Sequence, residues 1–322
     1  MKVFFIIVTC LFFFIEKEVA QTKIPLMFRM QDKFAKKNIK KYLAHDTLLA
    51  TGNAILHISY SNENDKPVLL LLHGMGANAR TNWSSQIKTL SKSFNLILPD
   101  LIYFGESTSN SQNYSVEFQV EQIHEAVLKL GFTKKINVMG FSYGGLTAAI
   151  YNQLYLPEVQ KLIIIDGPVK FFSAQMADSV SNSLGVKGLN NVISPVTIDG
   201  FNAMSKAAMS KSFPLTKKIK RKIIKYYFIP TKETRDKQMI YLIDNAAHYQ
   251  AMNYNLDQTQ TLLIWGSKDG VIPLSVGLKI NKTFPNTTKL IVFPKAKHDA
   301  HFRDAKKLNK TVIAFINDSL KK

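Results

Sequence analysis

Apolar residues in this chain gather in short, nearly continuous runs, and stretches of helical character separate the runs. The runs fall at 68–72, 96–98, 136–139, 162–165, 262–265 and 290–293. A strand without a polar face is buried on both sides, which is the condition of a parallel sheet covered by helices. The stretch 54–60 reads as one more strand, and 62–65 as the turn after it. Residues 116–130, with Ser115 as N-cap, and 146–156, stopped by Pro157, read as helices. Strands alternating with helices predict an α/β fold on a parallel sheet, with ligands beyond the carboxyl ends of the strands.

The rhythm stops between Asp166 and Gln260. Residues 168–255 offer helix-like pieces with Gly and Pro punctuation and no convincing buried strand, and are read as a helical cap inserted over the site. The core is then 53–167 together with 256–322, preceded at 21–52 by a basic linker or short helix in which no catalytic residue is expected. Residues 1–20 have the form of a signal peptide: Lys2, an apolar run at 3–15, then Val19 and Ala20 before the expected cut. That run is shorter than the roughly 20 residues a membrane-spanning helix needs. Export to the periplasm or the outside is expected, with a membrane-held form as the alternative because Glu18 fits the cleavage pattern poorly. Cys10, the single cysteine, lies in the leader, so disulfides and cysteine catalysis are not expected of the processed chain.

Composition adds a large core, since 46% of the 322 residues are hydrophobic and 20% charged, which excludes wholesale disorder. The formal charge of +19 raises nucleic acid or an anionic membrane as a partner. The lysines are scattered and no helix-turn-helix, zinc-finger or aromatic-basic signature accompanies them, so nucleic acid is not expected. Two denser stretches, 33–41 and 217–225, are read either as solvated helix faces or as basic amphipathic helices resting on anionic lipid.

The strongest chemical signal is Gly140-Phe141-Ser142-Tyr143-Gly144, set between a predicted strand and a predicted helix. Glycines flank the serine where a sharp turn lifts a hydroxyl above the sheet. The Lys-Ser/Thr ending of a phosphate-binding loop is absent. A serine needs a base to take its proton. Of seven histidines, His298 lies in a loop after the last strand, with His301 as its rival; His57, His124 and His248 look like surface residues. Asp269, after the strand at 262–265, is the candidate that orients the base, and Asp166 is the other. His73-Gly74-Met75-Gly76 follows the run Val68–Leu72, and the N–H groups of Met75 and Tyr143 are candidates for an oxyanion hole. His73 reads as a loop-ordering residue and Asp100 as a loop-shaping one.

The segments HGMG, PDLIYFGES, GFSYGG, WGSKDGVIP and AKHDAHF, in this order, resemble the α/β-hydrolase family in its cap-bearing esterase, lipase and carbon–carbon-bond hydrolase branch. The likeness spans about 53–320. It implies a cofactor-free, mostly parallel sheet of eight strands and a triad carried over onto Ser142, Asp269 and His298. Two departures stand out: Lys297 replaces the glycine common before the histidine, and Arg303-Asp304-Ala305 replaces the usual Glu-x-Pro. Relatives that open epoxides or displace halide use an aspartate at the elbow, so Ser142 points to acyl transfer to water. The expected activity is carboxylic ester hydrolysis, with carbon–carbon-bond hydrolysis or non-catalytic lipid or polyanion binding as alternatives. Phe171, Phe172, Met176, Met204, Met209 and Phe213 in the cap suggest a small-molecule ester with an apolar portion, unless they pack within the cap itself.

Overall fold

The computed structural model describes residues 26–63, 66–76, 78–211 and 214–319. The leader with Cys10, the second half of the turn at 62–65 and Phe213 lie outside them. Eight strands make one sheet: β1 (His45–Ala50), β2 (Ile55–Tyr60), β3 (Val68–Leu72), β4 (Asn95–Pro99), β5 (Ile136–Phe141), β6 (Val159–Ile165), β7 (Thr261–Gly266) and β8 (Thr288–Phe293). Their spatial order is β1-β2-β4-β3-β5-β6-β7-β8. β2 runs antiparallel to both β1 and β4, and every other pairing is parallel.

The six apolar runs of the sequence lie within β3 to β8. All residues of β4, β5 and β7 are buried, as strands covered on two faces require. Successive residues of β3 feed opposite faces: Leu70 and Leu72 join one apolar core, Leu69 and Leu71 the other. The helices Val116–Lys129 and Tyr143–Leu154 cover the first face, and Ser115 caps the former by accepting the Phe118 N–H at 3.2 Å.

β1 departs from the reading of 21–52 as linker or short helix. Its residues, HDTLLA, bury no continuous face, and six register pairs with β2 hold it as an edge strand. Backbone pairing rather than side-chain burial defines such a strand, so the apolar pattern does not announce it. The helix Leu26–Tyr42 precedes β1 and buries Ala35 and Ile39, while Lys33, Lys36, Lys37, Lys40 and Lys41 stay exposed.

From β3 the chain goes first to β4 on one side and then to β5 on the other. The order thus reverses beside β3, and a crevice opens there beyond the carboxyl ends of the strands. Between β6 and β7 the described residues hold helices and no strand, the longest being Ala174–Ser183, Ile198–Ala208 and Lys232–Asp244. Ser173 and Thr197 cap the first two through bonds to Met176 N–H and Gly200 N–H.

Candidate active site

Ser142 stands between β5 and the helix Tyr143–Leu154 with φ 54° and ψ −121°. This left-handed backbone costs an L-residue on the order of 1–3 kcal/mol. The turn is fixed on both sides: Ser142 N–H donates to Ile165 O at 2.8 Å, and Gly145 N–H donates back to Ser142 O at 2.8 Å. A β-carbon on Gly140 would stand 1.9 Å from Gly144 O, and one on Gly144 would stand 2.1 Å from Leu72 O. The glycine pattern is therefore a consequence of backbone meeting backbone.

His298 sits in the loop after β8. Its Nε2 is 2.9 Å from Ser142 Oγ, and its Nδ1 is 2.7 Å from Asp269 Oδ2. The other oxygen of Asp269 accepts the N–H groups of Val271 at 2.8 Å and Ile272 at 2.9 Å. These bonds fix the carboxylate, and the carboxylate sets the tautomer: Nδ1 carries the proton and Nε2 faces the hydroxyl as an acceptor. His301, the rival base, is fully buried, packed on the Phe141 ring at 3.9 Å, with Nε2 3.4 Å from Asn82 Nδ2. Burial, helped by the neighbouring His298, holds its imidazole well below the ordinary range. Asp166, the rival acid, directly follows β6 and accepts the Gly266 N–H at 2.8 Å.

Met75 and Tyr143 line the same cavity as Ser142. Tyr143 is the first residue of its helix, so its N–H is among the four that lack an intrahelical acceptor. His73 orders the Met75 loop: Nδ1–H donates to Gly74 O at 2.8 Å, and Nε2 accepts the Leu101 N–H at 2.9 Å. Complete burial keeps this imidazole neutral, with its pKa lowered.

His57, read as a surface residue, is buried instead. Its Nδ1 is 2.9 Å from Asp100 Oδ2 and its Nε2 is 3.0 Å from Asp46 Oδ1. Burial opposes the positive charge, but the hydrogen bonds that His57 donates to Asp100 and Asp46, and the charges of those two carboxylates, outweigh it and push the imidazole up to about 10. The partners were hidden because Asp46 lies in the unrecognised β1. Asp100 also accepts the N–H groups of Ala79 and Glu106, which shapes the loop after β4.

A narrow cavity of about 60 Å³ runs from Ser142 into the cap between Leu146, Phe172, Leu189, Ile193, Met239 and Leu242. No charged side chain lines it among the described residues. Of the cap residues singled out from the sequence, Phe172 alone among the described ones reaches this lining; Met204 and Met209 are buried elsewhere in the cap. Met239, Leu242, Ile243 and Ala246 were missed, although the spacing of Met239, Leu242 and Ile243 within the helix Lys232–Asp244 is the signal that places those three on one face.

The cap is stitched to both loops that carry the candidate acid and base. Ala207 O accepts the Gly270 N–H at 3.1 Å, and Lys206 O accepts from Lys297 Nζ at 2.6 Å. Ser210 donates its N–H to Asp299 Oδ2 at 2.8 Å and also bonds Asp299 through its hydroxyl. Lys297, which departs from the usual glycine, thus has a structural partner in the cap.

Comparison with known proteins bears on the fold. A family model described as alpha/beta hydrolase fold matches residues 67–305. Lipase 1 of Psychrobacter immobilis is 30% identical over 246 residues, covering 76% of this chain and 75% of that protein. A 2-hydroxy-6-oxononadienedioate/2-hydroxy-6-oxononatrienedioate hydrolase of Pseudomonas putida is 26% identical over 272 residues, covering 82% of this chain and 93% of its own. A solved structure of a candidate lipase from Acinetobacter baumannii superposes with a TM-score of 0.76 at 20% identity, over 94% of this chain and 99% of that one, a likeness of fold. The chain belongs to the α/β-hydrolase fold family.

Proposed function

We propose that this hydrolase cleaves carboxylic esters with an apolar acyl part, with Ser142 as nucleophile, His298 as base and Asp269 as the group that orients the base. The observation that carries the reading is the continuous hydrogen-bonded line Ser142–His298–Asp269 at the mouth of an apolar cavity. Ser142 Oγ attacks the ester carbonyl while its proton passes to His298 Nε2. The carbonyl oxygen becomes an oxyanion, for which Met75 N–H and Tyr143 N–H are the donors. Collapse breaks the bond to the alcohol, which leaves with the proton from His298, and an acyl-enzyme remains. Water then attacks by the same path and frees the acid and Ser142.

The uncharged lining favours this over carbon–carbon-bond cleavage of the dicarboxylate kind named for the Pseudomonas putida relative. A carboxylate buried in such a cavity would find no charged donor among the described lining residues to offset its desolvation. The lipase relatives support an ester substrate in the same way. Two accessory readings accompany the catalytic one: residues 1–20 direct export, and the basic side of the cap rests on anionic membrane.

Ser142→Ala should abolish both turnover of p-nitrophenyl esters and labelling by a fluorophosphonate. Survival of both would remove Ser142 from the reaction. In the native chain each methylene added to the acyl group should raise kcat/KM roughly fourfold until the cavity is full, at about 0.8 kcal/mol per buried CH₂. A flat response would place the acyl chain outside the cavity.

A further inference from the structure

Asp166 is a buried carboxyl beside the site that the proposed reaction leaves without a role. It directly follows β6 and sits in the left-handed region, with φ 48°. Its N–H donates to Ile264 O at 3.0 Å, and its Oδ1 accepts the Gly266 N–H at 2.8 Å, so the ends of β6 and β7 clamp it in place. Its Oδ2 is shut away from solvent and has no hydrogen-bond donor among the described residues. One oxygen of Asp166, one of Asp269 and one ring nitrogen of His298 all lie within 4.8 Å of one another.

The ionisable groups that face Asp166 are Asp269, Asp299 and His298. Two carboxylates close together in a dry site oppose each other's charge, which favours retention of a proton on the one with fewer donors. The bonds already described decide where it stays. Asp269 receives N–H donors from Val271 and Ile272 on one oxygen and His298 on the other, whereas Asp166 receives Gly266 alone. Burial first, and then the charge of Asp269, pushes the Asp166 carboxyl well above the usual carboxylate range.

We propose that Asp166 is a positioning residue whose carboxylic acid O–H donates a hydrogen bond to the Asp269 carboxylate, steadying the acceptor that orients His298. The imidazole is then held by a pair of acids that share one proton and one negative charge. This rests on the roles proposed above for His298 and Asp269, and its test is separable from theirs because its first arm needs no turnover.

Isotope-edited infrared spectroscopy of the intact chain at pH 7 should show the carbonyl band of a protonated carboxyl, and Asp166→Asn should remove it. No such band, or a band that persists in the variant, overturns the proposal. In the second arm Asp166→Asn, which offers an N–H donor without a change of charge, should keep kcat within about twofold and leave the acid limb of the kcat/KM–pH profile in place. Asp166→Ala should lower kcat roughly tenfold with KM unchanged, the worth of one hydrogen bond in a buried network. A limb that moves to lower pH in Asp166→Asn would mean that a negative charge had been removed, and would equally overturn it. If Asp166→Ala does not fold, the infrared band and the Asn variant carry the decision.

Discussion

Single residues in this protein are held in states that water alone would not give them. Ser142 occupies a left-handed conformation because Ile165 and Gly145 clamp its peptide groups, and its hydroxyl meets His298 only in that turn. His57 is held as a buried cation between Asp46 and Asp100. Its imidazole is raised from an ordinary 6.5 to about 10, so its contribution to stability is fully present below pH 6.5 and is lost as pH rises towards 10. Asp46 and Asp100 are both lowered from 3.8, so their share is present above that value and is lost in acid below it. His57→Gln should cost about 3 kcal/mol near neutral pH, because two buried or half-buried carboxylates lose their cation. It should also flatten the decline in Tm between pH 6.5 and 10, followed by circular dichroism. An unchanged decline would show that His57 is not the titrating group.

Elements, more than residues, decide how the candidate site is assembled. β5, β7 and β8 end at one edge of the sheet, and the loops that leave them carry Ser142, Asp269 and His298. The cap helix Ile198–Ala208 and the residues just after it are bonded to two of these loops, through Gly270, Lys297 and Asp299. Asp299 is the centre of that seam, since it accepts from Ser210 and from the Lys297 N–H. Asp299→Ala would leave the Ser210 N–H without its acceptor, while the Lys297 N–H keeps Ser210 Oγ at 2.9 Å, and should destabilise the chain by about 2 kcal/mol in a denaturant titration. With the loop less tightly tied, KM for long-chain esters should rise more than KM for acetate esters, because the cap supplies the cavity wall. Equal KM changes for both would separate the seam from the cavity.

At the scale of the whole molecule the 42 Lys and Arg against 23 Asp and Glu make a field that attracts anionic surfaces. The helix Leu26–Tyr42 spends Ala35 and Ile39 on the core, whereas the cap presents Ile229 beside Arg221 and Lys225 around an apolar groove. Vesicles rich in phosphatidylserine should therefore bind the Ser142→Ala protein, each basic residue at the surface adding about 1 kcal/mol, and salt should release it. Arg221→Glu with Lys225→Glu should remove most of that binding while ester turnover in solution persists; unaltered binding would move the contact elsewhere. The sequence by itself determined the α/β class, the runs that become β3 to β8, and the elbow at Ser142. Each of these follows from local rules: burial on two faces excludes polar residues, and a crowded turn excludes side chains. Tertiary structure alone decided the rest. β1 is defined by main-chain pairing that has no side-chain signature, His57 found its acids on a neighbouring strand and loop, and Asp166 came to lie beside Asp269 because β6 and β7 pair in parallel. Contacts between residues a hundred positions apart depend on strand order and register, which the pattern along a chain does not encode.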